Sequence, residues 1–76
     1  MFRLKIMNPK REVFSGEAES VFLQGDQGEF EILSHHAPIV SLLKAGHVVV
    51  NWSTAIPIKN GIVKFDRDEC VILVEE

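Results

Sequence analysis

A chain of 76 residues and 8.6 kDa has room for one small domain, and folding at this size buries only roughly 60% of the surface that the unfolded chain exposes. Its single cysteine, Cys70, excludes an internal disulfide and a cysteine-based zinc site, so the 46% hydrophobic content must build the core alone or with help from a partner subunit. The net charge of −3, from 8 Lys+Arg against 11 Asp+Glu, is unsuited to binding a phosphate backbone, and no apolar stretch approaches the ~20 residues that span a bilayer.

The first element is Phe2–Ile6, where apolar and basic residues alternate as in a strand with one buried face. The same alternation deprives the N-terminus of the apolar run of a secretory signal, so the expected location is the cytoplasm, where a free thiol is ordinary. Asn8-Pro9 then breaks the pattern. Arg3, Lys5, Lys10 and Arg11 make this stretch basic, whereas Glu12 to Leu43 holds no Lys or Arg and six acids: Glu12, Glu17, Glu19, Asp26, Glu29 and Glu31. That run is either a solvated face or a docking surface for a basic partner.

Ser15-Gly16 reads as a break, with the Ser15 hydroxyl bonding its own backbone in a turn. There is no G-x-S-x-G nucleophile elbow around it. Ala18–Leu23 is the next predicted strand. Gly25-Asp26-Gln27-Gly28 lacks the Lys-Ser/Thr ending of a phosphate loop, and its glycines suit positive-φ positions of a hairpin connection. Glu29–Ile32 alternates again, which sets Glu29 and Glu31 on one strand face about 7 Å apart. Nothing local would raise the pKa of either carboxylate for general acid work.

Ile39–Lys44 is ambiguous, and a single helical turn is conceivable there. Val48–Val50 and Val71–Val74 are continuous β-branched runs that suit strands buried on both faces or turned between sheets. Asn60-Gly61 is the strongest local turn signal, because both central residues of a type I′ turn need φ > 0. It predicts a hairpin joining Ile56-Pro57-Ile58 to Ile62–Phe65, with Pro57 confining its arm to an edge or a bulge. Asp66-Arg67-Asp68 marks the last turn. Short strands at this spacing indicate an all-β sandwich or barrel.

Chemistry is sparse. His35 and His36, if on a strand, point to opposite faces and cannot easily share an ion, and no ligand spacing surrounds them or His47. Cys70 sits in an apolar strand as a small hydrophobe. Trp52 and the five phenylalanines fill a core or an interface. Stacking on bases is the alternative, which would make the chain a small β-barrel ligand- or nucleic-acid-binding module. The residues themselves show no catalytic group, no metal site and no cofactor, and favour a binding or structural role.

One set of motifs is more specific. Val13-Phe14-Ser15-Gly16-Glu17-Ala18 is followed by Gly25-Asp26-Gln27-Gly28-Glu29-Phe30-Glu31-Ile32-Leu33. His36-Ala37-Pro38 and Leu43-Lys44-Ala45-Gly46 come next. In this order the motifs closely resemble the epsilon subunit of F-type ATP synthases, over essentially the whole chain. The resemblance implies a single domain over residues 1–76, a flattened β-sandwich of two antiparallel sheets without the C-terminal α-helical hairpin that commonly follows in the family. It implies a non-catalytic rotor subunit of the central stalk, peripheral on the cytoplasmic face of a bacterial inner membrane. Such a subunit links the gamma subunit to the c-ring and couples rotation to ATP synthesis.

By the same correspondence, Gly28, Glu29, Phe30 and Glu31 match the stretch that meets the polar loops of the c-ring. Asn8, His36 and Ser41 match positions facing gamma. The family hairpin inhibits ATP hydrolysis and in some members binds ATP. With the sequence ending at Glu75-Glu76, this chain is expected to serve coupling without those roles. It departs from the family pattern at Glu31, where Gly is usual, at Ser34-His35, where Pro-Gly is usual, and at Gln24, where Pro is usual.

Overall fold

A computed structural model describes all 76 residues, as nine strands and no helix. The strands are β1 (Phe2–Met7), β2 (Glu12–Ala18), β3 (Ser20–Gly25), β4 (Gly28–Leu33), β5 (Ile39–Leu43), β6 (Gly46–Val50), β7 (Thr54–Ile58), β8 (Asn60–Asp66) and β9 (Glu69–Glu75). They form two layers. The larger runs β2-β1-β9-β8-β5 and the smaller β4-β3-β6-β7. The layers are one curled sheet, joined by a single strand-ladder pair between Gly25 of β3 and Leu43 of β5. All neighbours are antiparallel except β1 and β9, which run parallel.

Period-two patterning sets the layers face to face. Phe2, Leu4 and Ile6 of β1 point inward and are buried, as are Cys70, Ile72 and Val74 of β9 and Val63 and Phe65 of β8. Val21, Leu23, Ile32, Val48, Val50, Ile56 and Ile58 face them from the smaller layer, and Ala18 and Leu43 complete a core of 17 residues. The Phe2 and Phe65 rings meet edge to face at 5.5 Å, the geometry that the ring quadrupole favours. Every buried side-chain nitrogen and oxygen has a hydrogen-bond partner.

Several local expectations are corrected. Asn60-Gly61 is not a turn: both residues lie inside β8, with Asn60 opposite Glu75 and Gly61 opposite Val74. The arms expected to pair with each other are separated, since β7 pairs only with β6 and β8 sits between β5 and β9. Lys59 is the corner between layers, and its N–H donates to the Glu75 carbonyl at 2.6 Å. Glycine is required at position 61 for closeness instead, because a Cβ there would lie 2.6 Å from the Leu73 carbonyl oxygen. Turns with φ > 0 at both central residues occur at Asn51-Trp52 and Arg67-Asp68, built without glycine.

Ile39–Leu43 is a strand and not a helical turn. It pairs with β8 along its whole length. Ser15-Gly16 continues β2, and the interruption falls at Glu19, between β2 and β3. Val71–Val74 alternates between exposed and buried residues, so only one side of β9 is covered. Pro57 stands on an edge strand as its missing donor demands.

Candidate functional site

The alternation that fills the core leaves an apolar surface on the far side of the larger layer. Met7, Leu73, Ile62 and Leu42 are register partners across β1, β9, β8 and β5, and so form a row on its outer face. Leu42 is 58% exposed, Leu73 48% and Ile62 37%. Val71 and Val40 lie in the next row with Lys5 and Lys64 between and beside them. The row floors a shallow groove of about 650 Å³ with Asn8, Pro9, Asn60 and Glu75 at one end. Full burial of one such side chain stabilises by about 1.5–3 kcal/mol, so a partner seated here gains more from this face than from any polar stretch around it.

The expected site residues fall around both layers. Asn8 borders the groove. Its Oδ1 accepts from the N–H groups of Lys10 at 2.7 Å and Arg11 at 2.9 Å, and its amide donates to the Glu76 carboxylate, which Arg11 also grips at 3.0 and 3.1 Å. These bonds fix the β1–β2 turn. His36 is at the opposite end of the larger layer, in the β4–β5 connection, with its ring edge-on to Phe65 at 5.8 Å and Nδ1 2.6 Å from the Ala37 carbonyl. Ser41 lies between them along β5, on the strand face opposite Leu42, in a depression that also holds Gly28, Glu29 and Phe30. Asn8 and His36 are thus separated by the length of β8, about 20 Å at the usual strand rise, and belong to two ends of one layer.

In the smaller layer, β3 and β4 form a hairpin closed by the Gly25–Gly28 pair, with Asp26 and Gln27 at its tip. Gly28 has φ +134°, a conformation that glycine adopts without strain. Glu29 and Glu31 face outward, opposite Gln24 and Phe22, and Gln24 Nε2 donates to Glu29 Oε2 at 3.3 Å. Phe30 faces the other way and covers Gly25, where a Cβ would meet its ring at 2.9 Å. The four residues of this stretch therefore split between an exposed acidic face and an inner aromatic.

Sequence reasoning did not find the setting of Trp52. The indole is 62% exposed, lies against Phe22 with ring centroids 5.1 Å apart, and donates from Nε1 to Glu31 Oε2 at 2.7 Å. The signal available in the sequence was the departure from Gly at position 31, which supplies this acceptor. His35 stands apart, 3.3 Å from the Asp68 carboxylate, and no three His, Cys, Asp or Glu side chains gather as a metal site would need. Burial pushes the Cys70 thiol up to about 12, which removes it as a nucleophile near neutral pH.

Residues 1–76 match, from end to end, the family described as the ATP synthase, Delta/Epsilon chain, beta-sandwich domain. The chain belongs to this family. The epsilon chain of Campylobacter fetus is 41% identical to this epsilon-type domain over 76 residues, covering 95% of this chain and 59% of that one. The epsilon chain of Chlorobium limicola is 33% identical over 79 residues, covering 99% of this chain and 90% of its own length. The domain spans about three fifths of the length of most of the curated relatives it matches. Its fold is shared with a chain of the Euglena gracilis mitochondrial ATP synthase at a TM-score of 0.83 and 18% identity, covering 96% of this chain and 49% of that one. A chain from the central stalk and c-ring of the Tetrahymena thermophila enzyme gives 0.79 at 14% identity, covering 97% and 63%.

Proposed function

We propose that this epsilon-type domain is a non-catalytic rotor element of an F-type ATP synthase, seated between the gamma subunit and the c-ring on the cytoplasmic face of a bacterial membrane. The observation that supports this most is the uncovered apolar row Met7–Leu73–Ile62–Leu42 in a chain of this family. A small domain that leaves large aliphatic side chains on one sheet face gains stability when a partner covers them. Gamma is assigned to that face, with Asn8 at one end of it and His36 at the far end. Ser41 is on β5 beside Leu42 but on the opposite strand face, toward the depression it shares with Gly28, Glu29 and Phe30, so it would meet gamma only at the border of the layer.

The β3–β4 hairpin is assigned to the polar loops of the c-ring. Gly28, Glu29, Phe30 and Glu31 form that stretch, and Glu29 leads because it is exposed beside the turn. An acidic side chain on a rigid hairpin suits register-setting against a basic loop, and torque passes through the packed layers with no bond broken or made.

The test is co-elution with purified gamma. The wild-type domain is expected to form a stable complex, and Leu73→Asp, which places a charge in the middle of the row, is expected to weaken it by at least about tenfold while leaving the core intact. Undiminished binding by the variant contradicts the assignment of this face.

A further inference from the structure

Beside the apolar row of the larger layer runs a second row, Lys5, Val71, Lys64 and Val40, two residues further along each strand and so about 7 Å away. Its two cations differ in setting. Lys5 lies toward the β2 edge of the layer, and its Nζ is 3.7 Å from the Glu12 carboxylate. Lys64 lies on β8, inside the layer, with exposed Val71 on one side and exposed Val40 on the other. Along its own strand the same face carries Ile62 and Asp66. Three of the four positions around this ammonium are therefore apolar.

No carboxylate of this chain holds it. Asp66 and Glu69 line the same depression of about 270 Å³ as Lys64, yet neither forms an ion pair with it. Arg67 lines that depression too, so its two acids are balanced by two cations.

In the isolated domain water solvates the Lys64 ammonium. Coverage of the face changes that. A partner that seats on Met7, Leu73, Ile62 and Leu42 and extends one row further covers Val71 and Val40, and the ammonium between them loses its water. A charge taken out of water without a counter-charge opposes binding, so a matched partner brings a carboxylate to this point. The covered pair, hydrogen-bonded and screened little by salt, contributes more than the same pair on an open surface.

We propose that Lys64 is the specificity-determining residue of this face, and that the gamma segment covering it presents a carboxylate to the Lys64 ammonium, set about 7 Å aside from the apolar side chains that fill the Met7–Leu73–Ile62–Leu42 row. The proposal rests on the assignment of gamma to this face and adds the chemistry of the segment: an apolar stripe with an acid on one flank.

Calorimetric titration of the intact domain with purified gamma tests it, with Leu73→Asp as the control for the face itself. Lys64→Met keeps an unbranched side chain and removes the charge, and should weaken the complex about tenfold. Lys64→Glu sets two acids against each other and should weaken it at least about a hundredfold. Lys64→Arg, which keeps the charge, should retain most of the affinity. Raising the salt from about 0.05 to about 0.5 M should weaken the wild-type complex more than that of Lys64→Met. Among single acid-to-lysine exchanges along gamma, one should restore binding to Lys64→Glu while weakening binding to wild type. The Lys64 variants should melt with the wild type, since the side chain is exposed.

Wild-type affinity in Lys64→Met, with Leu73→Asp weakened, would overturn the proposal and leave gamma on the face, the ammonium then turning to Asp66 or Glu69 of its own chain. Failure of every exchange in gamma to rescue Lys64→Glu would overturn it in the same way. Undiminished binding by Leu73→Asp would remove the assignment of the face and the proposal with it.

Discussion

Cys70 is 1% exposed among Leu4, Phe65 and their neighbours, and burial alone moves its pKa from 9.0 to about 12. Between those values the unfolded chain gives up the proton and the folded chain keeps it, so the folded state binds more protons and stability falls as pH rises. The contribution is fully present below about pH 9 and is lost by pH 12, a fall of roughly 4 kcal/mol. Denaturant unfolding at pH 7, 9 and 11 should show it, and Cys70→Ala should flatten that part of the profile. An equally steep profile in Cys70→Ala would place the effect elsewhere. A thiol reagent should leave the folded protein unmodified at pH 7 and react only on unfolding. The burial of Cys70 was legible from its apolar strand. The posture of Trp52 was not, because it depends on Glu31, 21 positions away, and on a turn whose residues carry no local signature for it.

At the level of the strand, period two was a sound guide wherever one face is buried. Phe2–Ile6 and Glu29–Ile32 lie where their alternation puts them. It was least informative for β5 and β9, which are apolar on both sides: Val71 and Leu73 look like core in the sequence but are exposed in the isolated domain. The Asn60-Gly61 signal failed because turn chemistry is local and the demand at Gly61 comes from a neighbouring strand. Gly61→Ala would push a Cβ to 2.6 Å from the Leu73 carbonyl oxygen, which the β8–β9 ladder cannot relieve cheaply. A loss of about 1–3 kcal/mol is expected, read as a drop of roughly 5–20 °C in melting temperature; an unchanged midpoint would show that β8 can shift away. On the β3–β4 hairpin, Glu29→Lys reverses the first charge of β4 after the tip and leaves the Glu31–Trp52 bond in place. Attachment to membranes bearing the c-ring should weaken while gamma binding stays within about twofold. Equal losses at both would contradict the division of the two faces.

For the whole molecule, a domain of 76 residues has about 4–11 kcal/mol of stability in hand, small against what a partner adds by covering an apolar face. The core and the fold class follow from composition and period, and the family from short motifs in order. What lay beyond the sequence was which apolar residues the second layer leaves uncovered, since that is decided by pairing across strands far apart in the chain. The rotor role proposed for the domain turns on gamma covering the outer face of the β2-β1-β9-β8-β5 layer. Methyl cross-saturation NMR on the complex of this domain with gamma reads that contact residue by residue. Attenuation concentrated on Met7, Leu42, Ile62 and Leu73, with Leu33 and Val49 untouched, is the predicted result. Attenuation centred on Leu33 and Val49 instead, or spread evenly over both layers, would contradict it.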